Sequence, residues 1–383
     1  MFYCGLDVSL RETAICIVDA DGKIVKELKV SSDPDAIANA IRDSGFVCEK
    51  VGLESGSTAA WLQAGLVTLE FPAICIDARH AAAMLQAGLR NKSDRNDARG
   101  IAQLMRMNAY RPVWVKSERS QRLGALFTAR NTLQDQLVRI ENVVRGLLRC
   151  DGIRLPLGRR HFEAEVRNRV GDHAEIMSTI EPLLVARAEL IRQRTVFDRR
   201  IITLARRDEV CKLLMTMPGV GAHVALSFKA GIDDPDRFRR SRNVGAHFGL
   251  TPRRYSSGEV DLSGHISKMG DRHVRHMLYV AAQVTLRRDQ GLWSSMKAWA
   301  MNVAKKRGLA KARIALARRI AVTLHKMWLT GEPFHWQKPG AAMAQFTKSK
   351  TCRIRSSRGP GKGRVKVRAT VRLVRRRPTR ERR

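Results

Sequence analysis

Two aspartates lie three positions apart in a strongly basic stretch of the chain. The segment NKSDRNDARG places Asp94 and Asp97 beside Lys92, Arg95 and Arg99. On a helix, a spacing of three brings both carboxylates to one face, where their like charges repel unless a cation neutralises them. The pair therefore indicates a site for a bound cation.

Two further acids follow short apolar segments that are typical of strands. Asp7 comes after FYCGL, and Glu54 comes after VGL. Carboxylates from strand ends and from a helix can converge on one pocket, and such oxygen ligands are those that Mg²⁺ prefers. These four acids form a candidate Mg²⁺ site. The alternative is that each acid caps a helix or lies in solvent, which is the usual role of a single acid.

The segment YSSG at residues 255–258 contains a candidate nucleophile. A serine hydroxyl becomes reactive when a base, a metal ion or nearby cations stabilise its alkoxide, and cations also hold a phosphodiester. The surrounding segment supplies such cations: Arg253, Arg254, Lys268, Arg272 and Arg275. A simple Ser-Ser-Gly turn is the alternative. A G-x-S-x-G motif, which would indicate an esterase, does not surround these serines.

Glycines and histidines provide further candidates for phosphate contacts. PGVG at residues 218–221 resembles a helix-hairpin-helix turn, in which Gly219 and Gly221 let a phosphate approach backbone N–H groups. A plain turn between helices is the alternative. His265, His273 and His276 lack metal-ligand spacing and are interpreted as phosphate contacts or surface residues, with one as a possible base. No Walker loop occurs, so no ATP site is predicted.

The elements that must position these residues alternate between strands and helices over the first part of the chain. Apolar segments separated by short turns predict a meander of strands at residues 2–8, 13–19 and 23–30. Helices and strands then alternate, with a helix predicted at 78–89 and another beginning at the acidic pair. This order predicts a mixed sheet flanked by helices, an α/β domain over residues 1–115.

The remainder of the chain is predicted to be mostly helical. Residues 117–150 contain no proline and repeat apolar residues every three or four positions, and a second such helix spans about 173–207. Because long helices usually pair, we predict an antiparallel coiled-coil linker over 116–207, with a bend near 153–158. An ordinary helical bundle is the alternative. Residues 208–338 are predicted to form a third, mostly α-helical domain.

Charge restricts the class of partner. The chain has 71 Lys and Arg against 36 Asp and Glu, a net charge of +35, which favours DNA or RNA. Sixteen Lys and Arg fall in residues 348–383, so a disordered basic tail is predicted over 339–383. No long apolar run or signal peptide is apparent, and seven scattered cysteines are expected to be reduced, several of them in strands. A cytoplasmic protein without membrane contact is expected.

Six motifs occur together: GLDVS, GLESGS, GLRNKSDRNDARG, PGVG, FGLTPRRYSSG and ISKMGDRHVR. As a set, they resemble the DEDD-motif insertion-sequence transposases of family one-ten, the bridge-RNA-guided recombinases. The resemblance covers about residues 1–338. It implies a RuvC-like, RNase H-type N-terminal domain, a coiled-coil linker and a C-terminal transposase domain. Members usually end near residue 339, so the tail is either a nucleic-acid-binding extension or a fused or out-of-frame segment.

The resemblance also implies roles for individual residues. Asp7, Glu54, Asp94 and Asp97 would form the tetrad that binds Mg²⁺, and the family's Tyr-x-Ser-Gly pattern selects Ser257 as the catalytic serine. The enzyme would exchange strands of donor and target DNA through a phosphoserine link. A structured guide RNA would pair with both DNAs, leaving the protein to hold backbones. We also expect a homo-oligomer, either a dimer or a tetramer.

Two other functions are compatible with these residues. A RuvC-like, metal-dependent and structure-selective nuclease would hydrolyse DNA with water and use its C-terminal half only for binding. A non-enzymatic nucleic-acid-binding protein would leave the complete tetrad and the serine without a role. A covalent protein–DNA adduct separates the recombinase from the nuclease, and Mg²⁺ dependence separates both enzymes from the binding protein.

Overall fold

The protein is described here from a computed structural model. The described residues are 1–82, 94–156, 158, 161–258, 260–287 and 294–335. The helix predicted at 78–89 lies largely outside these residues, and the basic tail predicted over 339–383 lies wholly outside them. Lys92, one of the basic neighbours of the acidic pair, also lies outside them.

A five-stranded sheet forms the N-terminal part of the chain. Its strands are β1 (Phe2–Val8), β2 (Glu12–Val18), β3 (Ile24–Ser31), β4 (Cys48–Glu54) and β5 (Ala73–Ile76). They lie in the order β3-β2-β1-β4-β5, with β1 antiparallel to β2 and parallel to β4. The accompanying helices are α1 (Pro34–Asp43), α2 (Ala59–Thr68) and α3 (Asp94–Arg106). The predicted meander and the mixed α/β architecture are confirmed.

The sheet separates two apolar cores, because successive side chains of a strand point to opposite faces. Leu6 and Leu53 pack with residues of α1 and α2 on one face. Tyr3 and Ala14 pack with Ile101 of α3 on the other face. Whether a strand residue occupies an odd or an even position therefore decides which helix it meets.

Two long helices and one short helix follow the sheet. They are α4 (Glu118–Cys150), α5 (Phe162–Val170) and α6 (Ala174–Arg207). The two predicted long helices are confirmed, whereas α5, which follows the predicted bend, was not predicted. Arg130 bonds Asp198 and Glu141 bonds Arg187, so residue numbers rise along α4 as they fall along α6. The helices are therefore antiparallel, and we call α4, α5 and α6 the arm.

A buried ion pair joins the two long helices of the arm. Arg187 donates two hydrogen bonds to Glu141 Oε1, at 3.1 and 3.0 Å, and both side chains are more than nine-tenths buried. The guanidinium groups of Arg187 and Arg145 lie 4.9 and 4.8 Å from the ring centroid of Phe162 on α5. Because a buried charge is costly without its partner, Glu141 fixes how α4, α5 and α6 meet.

The C-terminal part is mostly helical, as predicted, and contains a β-ribbon. Its helices are α7 (Glu209–Met215), α8 (Ala222–Ile232), α9 (Val244–His247), α10 (Arg272–Leu286), α11 (Ser295–Arg307) and α12 (Leu309–Thr330). Two antiparallel strands, β6 (Pro252–Ser257) and β7 (Val260–Ile266), form the ribbon. The core of this part includes Leu126, Phe127 and Ile201 from the arm, so the base of the arm is built into it.

Asp233 joins the segment between the sheet and the arm to the C-terminal part. Its carboxylate accepts hydrogen bonds from Trp114 Nε1 at 2.9 Å and from the Ser117 backbone N–H at 3.0 Å and hydroxyl at 2.5 Å. Burial alone would raise the pKa of Asp233, but these hydrogen bonds lower it to about 2. The carboxylate is therefore charged, and it holds the N-terminus of α4 in place.

Four of the cysteines lie in the sheet. Cys4, Cys16, Cys48 and Cys75 are buried in strands of the sheet, as predicted. Among the helices that the structure describes, none is both long enough and apolar enough to cross a bilayer. The cysteines thus serve as small apolar residues of the two sheet cores.

Replacing Glu141 by leucine is expected to destabilise the arm by about 3–5 kcal/mol, because Arg187 then stays buried without its partner. Hydrogen exchange in α4 and α6 should accelerate, and urea unfolding followed by circular dichroism should shift to lower denaturant. The double variant Glu141→Leu, Arg187→Leu should recover much of the loss. Glu209→Ala, which breaks an exposed pair with Lys212, is the matched control. Wild-type exchange in Glu141→Leu would show that the pair has no such role.

Candidate active site

The acidic residues are placed by a close approach of helix α3 to strands β1 and β4. A Cβ atom at Gly5 would lie 2.2 Å from the carbonyl oxygen of Ala98 and 2.4 Å from the backbone nitrogen of Ala102. A Cβ atom at Gly52 would lie 2.7 Å from Met105 Cγ. Only glycine permits such contacts, so the helix lies directly on these strands. This contact fixes where Asp94 and Asp97, in the first turn of α3, stand relative to the sheet.

Asp7 and Glu54 are neighbours on the parallel strands β1 and β4. The register pairs Leu6 with Leu53, so the residues that follow them lie side by side, about 5 Å apart across the strands. Leu6 and Leu53 face α1 and α2, and by alternation Asp7 and Glu54 face the side of α3. Both acids line one cleft of about 620 Å³, together with Ser9 and the segment 55–59. The structure therefore brings these two predicted ligands together.

Asp94 lies in a second pocket, of about 410 Å³, between α3 and strand β3. Lys29 Nζ is 3.7 Å from Asp94 Oδ2 and 2.9 Å from Glu12 Oε2. Glu12 is the main cause of a raised pKa for Lys29, and Asp94 contributes to it. The charge of Asp94 is thus met by an ammonium group, a partner that was not predicted from the sequence.

Strand register relates the two pockets. Asp7 pairs with Ala14 on β2, and Ala14 pairs with Lys29 on β3. Lys29, Ala14, Asp7 and Glu54 therefore form a row across the sheet, and Asp94 stands above one end of it. Since neighbouring strands are about 5 Å apart, Lys29 and Asp7 are separated by about 10 Å across the sheet.

An ion pair between Arg99 and Glu27 attaches α3 to strand β3. Arg99 donates from Nε and Nη2 to the two oxygens of Glu27, at 2.5 and 2.8 Å. These hydrogen bonds lower the pKa of Glu27. Because a two-bond guanidinium–carboxylate contact is directional, the pair fixes the N-terminal half of α3 above the strands. Arg99 therefore holds the helix rather than neutralising Asp94 and Asp97.

The four predicted acids supply the donor type for a divalent cation, although they are not drawn into one cluster. Within residues 1–82 and the other described ranges, no group of three or more His, Cys, Asp and Glu side chains is arranged to hold a metal ion. Asp7 and Glu54 share a cleft, Asp94 lies beside Lys29, and Asp97 lies one turn further along α3. Oxygen donors of this kind fit Mg²⁺.

Ser257 ends strand β6 at the turn of the ribbon. It pairs with Val260, and Gly258 has a positive φ of 55°. Every residue of β6 is exposed, so the Ser257 hydroxyl is accessible to a large substrate. The candidate nucleophile and the alternative of a simple turn are therefore compatible, because Ser257 occupies the first position of the turn.

The base of the ribbon is held rigidly by close backbone contacts. A Cβ atom at Gly270 would lie 2.0 Å from the carbonyl oxygen of His247, and one at Gly249 would lie 2.4 Å from the backbone of Met269. Arg275 donates to the carbonyl oxygens of Phe248 and Met269, at 3.1 and 2.9 Å. These contacts tie both ends of the ribbon to α10, and we call them the ribbon clamp.

Two of the basic residues predicted to bind phosphate have partners within the protein. Arg275 belongs to the ribbon clamp, and burial lowers its pKa. Arg254 makes two hydrogen bonds to Asp261 across the ribbon, at 2.7 and 2.6 Å. These partners were not predicted, since a sequence does not show which carbonyl or carboxylate lies opposite a guanidinium group, and a phosphate contact stays a prediction for both arginines. Arg253, Lys268 and Arg272 stay predicted phosphate contacts.

The two glycines of the PGVG segment differ. A Cβ atom at Gly219, which has a φ of 79°, would lie 2.5 Å from Thr285 Oγ1 and 2.7 Å from the carbonyl oxygen of Ala281. Packing against α10 therefore accounts for Gly219 without a phosphate. Gly221 is the N-cap of α8 and has open space around its Cα hydrogens. A phosphate contact stays a prediction for Gly221.

The arm contributes polar residues that sequence reasoning missed. Asn131 Nδ2 lies 2.8 Å from His273 Nδ1, and burial lowers the pKa of His273, so its ring is neutral near pH 7. Asp198 Oδ1 accepts from Arg130 and His223, each at 2.9 Å. These contacts join positions far apart in the chain, so no local motif identifies them. His273 thus packs between the arm and α10, and its expected role as a phosphate contact or a base stays a prediction.

Two family models match this chain. Residues 4–150 match the family model of DEDD transposases of the IS110 type, and residues 211–297 match the model of the transposase IS116/IS110/IS902 family. The first match contains the four acids, and the second contains Ser257 and the ribbon clamp. Together the two matches cover more than half of the chain.

Three relatives are transposases by name. The transposase for insertion sequence element IS1111A of Coxiella burnetii is 27% identical over 325 residues, which are 83% of this chain and 86% of that protein. The transposase for insertion sequence element IS1328 of Yersinia enterocolitica is 26% identical, and a probable family 20 transposase of Pseudomonas aeruginosa is 28% identical; each match covers 60% of this chain and 70% of the relative. The chain therefore belongs to the IS116/IS110/IS902 family of DEDD transposases, enzymes that cleave DNA strands and transfer them.

Proposed function

We propose that this transposase exchanges DNA strands through a covalent phosphoserine link at Ser257, with Mg²⁺ held by Asp7, Glu54, Asp94 and Asp97. The observation that carries the proposal is the position of Ser257 at the exposed end of a ribbon with a rigid base. A nucleophile needs access to a large substrate and a fixed position, and the ribbon with its clamp supplies both. The acids support the metal-binding role by their donor type.

Strand exchange by this route conserves the energy of the phosphodiester bond. The Ser257 oxygen bonds to phosphorus while the bond from phosphorus to one DNA oxygen breaks, and the serine proton passes to that leaving oxygen. A strand with a free hydroxyl later attacks the phosphoserine, which restores the serine and joins the DNA. Transposases of the DEDD type generally use divalent metal ions, which stabilise attacking and leaving oxygens when bound.

The acids would bind the metal ion, and the Lys29 ammonium would compete with it for Asp94. Asp7 and Glu54 already share one cleft, and the Coulomb attraction of Asp94 is divided between any bound cation and the nearby Lys29 ammonium. Both pockets lie on the row of residues that crosses the sheet. We assign this domain a RuvC-like fold of the RNase H type, an assignment supported by the strand order β3-β2-β1-β4-β5.

Donor and target DNA are proposed to be selected by a structured guide RNA, with the protein holding phosphates. A net charge of +35 supports this division of labour, because Lys and Arg contacts to phosphates provide affinity without reading sequence. Exchange between two duplexes requires more than one nucleophile, so we propose that the protein acts as a homo-oligomer, either a dimer or a tetramer. The domain limits at residues 115, 207 and 338 are proposed with the same assignment.

Replacing Ser257 by alanine should abolish both cleavage and joining of DNA, because the covalent link cannot form. Ser256→Ala is the matched control, since Ser256 is one position away and faces the other side of the ribbon. With guide RNA, Mg²⁺ and a nicked suicide substrate, wild-type protein should give a DNA adduct that mass spectrometry maps to the Ser257 peptide. Cleavage by Ser257→Ala without any adduct would instead support a nuclease that uses water.

Asp7→Asn and Glu54→Gln should weaken binding of Mn²⁺, used as a spectroscopic substitute for Mg²⁺, because each removes a carboxylate charge from the cleft. Free Mn²⁺ measured by electron paramagnetic resonance should rise in both variants, and DNA cleavage should be lost. The exposed Asp43→Asn is the control. Unchanged Mn²⁺ binding in a folded Asp7→Asn variant would remove the metal role from this cleft.

Arg275→Ala and Arg272→Ala should affect different properties of the protein. Loss of Arg275 opens the ribbon clamp, so amide exchange in residues 266–271 should accelerate. Loss of the exposed Arg272 should leave that exchange unchanged but weaken DNA binding and flatten its salt dependence by about one phosphate. The two effects should be measured by exchange mass spectrometry and by fluorescence anisotropy over a salt series. Equal exchange rates in the two variants would contradict the clamp.

A further inference from the structure

We propose that the face of the ribbon that carries Ser257 inserts beside an unstacked DNA base, which stacks on the ring of Tyr255. This inference rests on the proposed function, because it names the form of DNA that Ser257 would meet. The substrate would be DNA whose bases are unpaired next to the attacked phosphate, rather than a fully stacked duplex.

The ribbon has two chemically different faces. The register pairs Tyr255 with Leu262 directly across the strands, and Ser257 is two positions from Tyr255, so these three residues share one face. Ser256 and the Arg254–Asp261 ion pair belong to the other face. One face is thus occupied by an ion pair of its own, while the face of the nucleophile presents an aromatic and an aliphatic side chain.

These two apolar side chains are largely exposed. Tyr255 is 65% exposed and Leu262 is 63% exposed, and neither belongs to the apolar cores of the described residues. Two large apolar side chains side by side, on a protein surface with this charge, indicate a surface that a partner covers. A two-stranded ribbon is marginally stable alone. Because Tyr255 and Leu262 are exposed, they add little buried apolar surface to stabilise it.

Charge selects nucleic acid as the partner of this face. Arg253 is two positions before Tyr255 on the same strand, and Lys268 and Arg272 follow the ribbon, near its base. A second copy that met this face with its own ribbon would bring like charges together here, whereas the phosphates that flank a DNA base would be attracted. Aromatic rings on a basic surface are the usual means by which proteins bind single-stranded bases.

The distance between Tyr255 and Ser257 determines which base the ring can reach. Two residues of a strand span about 7 Å, and successive nucleotides of a stacked strand are about 3.4 Å apart. A ring two positions from Ser257 therefore reaches bases within about two nucleotides of the attacked phosphate. In a paired duplex the faces of those bases are covered by their neighbours, so stacking requires that one base leave the stack. Leu262 lies opposite Tyr255 and would fill the space that opens, as apolar wedges do elsewhere.

The test uses the full-length protein and a short DNA duplex that contains a small bubble of unpaired thymines, one of them replaced by 5-iodouracil. Irradiation should crosslink the iodouracil to the peptide that contains Tyr255. The protein should bind this DNA at least about fivefold more tightly than the fully paired duplex, since stacking on an aromatic ring favours unpaired bases. Fluorescence anisotropy measures the two affinities.

Three variants separate stacking from other roles of the ribbon. Tyr255→Phe should keep both the crosslink and the preference for unpaired DNA, whereas Tyr255→Leu should lose both and keep its affinity for the paired duplex. Ser256→Ala, on the other face, should behave as wild type. These readouts do not require covalent chemistry. If a DNA base stacks on Tyr255 but no adduct forms, the proposed nucleophile is refuted and this inference is supported.

Two results would overturn the inference. One is equal affinity of the wild-type protein for paired and unpaired DNA, together with crosslinks that map outside the ribbon. The other is self-association, seen by analytical ultracentrifugation without DNA, that Tyr255→Leu abolishes. That second result would assign the exposed face to another copy of the chain.

Discussion

The contact between the backbone of helix α3 and strands β1 and β4 is the constraint on which the acidic site depends. At Gly5 the helix and strand approach so closely that a single methyl group would meet backbone atoms at 2.2 Å. Backbone cannot give way as a flexible side chain can, so any other residue there would lift the helix. Since Asp94 and Asp97 are carried by that helix and Asp7 by that strand, lifting α3 would separate the acids without touching any of them.

Close backbone contacts at glycine also position the ribbon that carries Ser257. Gly249 and Gly270 allow backbone segments to lie against each other at the base of the ribbon, and Arg275 satisfies the carbonyl groups that this packing leaves exposed. Both candidate elements of the active site thus rest on glycine contacts rather than on large apolar side chains. The geometry of each is fixed by backbone, which leaves the side chains that face the substrate free to serve chemistry.

Much of the fold could be predicted from the sequence, because strand alternation and helical periodicity follow burial. The helix predicted at 117–150 is observed at Glu118–Cys150. Helix α5 was missed because its nine residues span too few turns to establish a period. The ribbon was missed because all residues of β6 are exposed, so no apolar alternation marks them. The partners of Lys29, Arg254 and Arg275 depend on tertiary contacts, and no local pattern contains that information.

The construction of the arm has a consequence for how its length can vary. Its base is part of the C-terminal core through Leu126 and Ile201, while its tip has a separate core that includes Leu148 and Phe162. Matched insertions of seven residues in α4 and α6, placed between the two cores, would together lengthen the arm by about 10 Å and leave both cores unchanged. In evolutionary terms the arm is a spacer: descendants of one ancestral enzyme can acquire arms of different reach while the acidic cleft and the ribbon stay as they are.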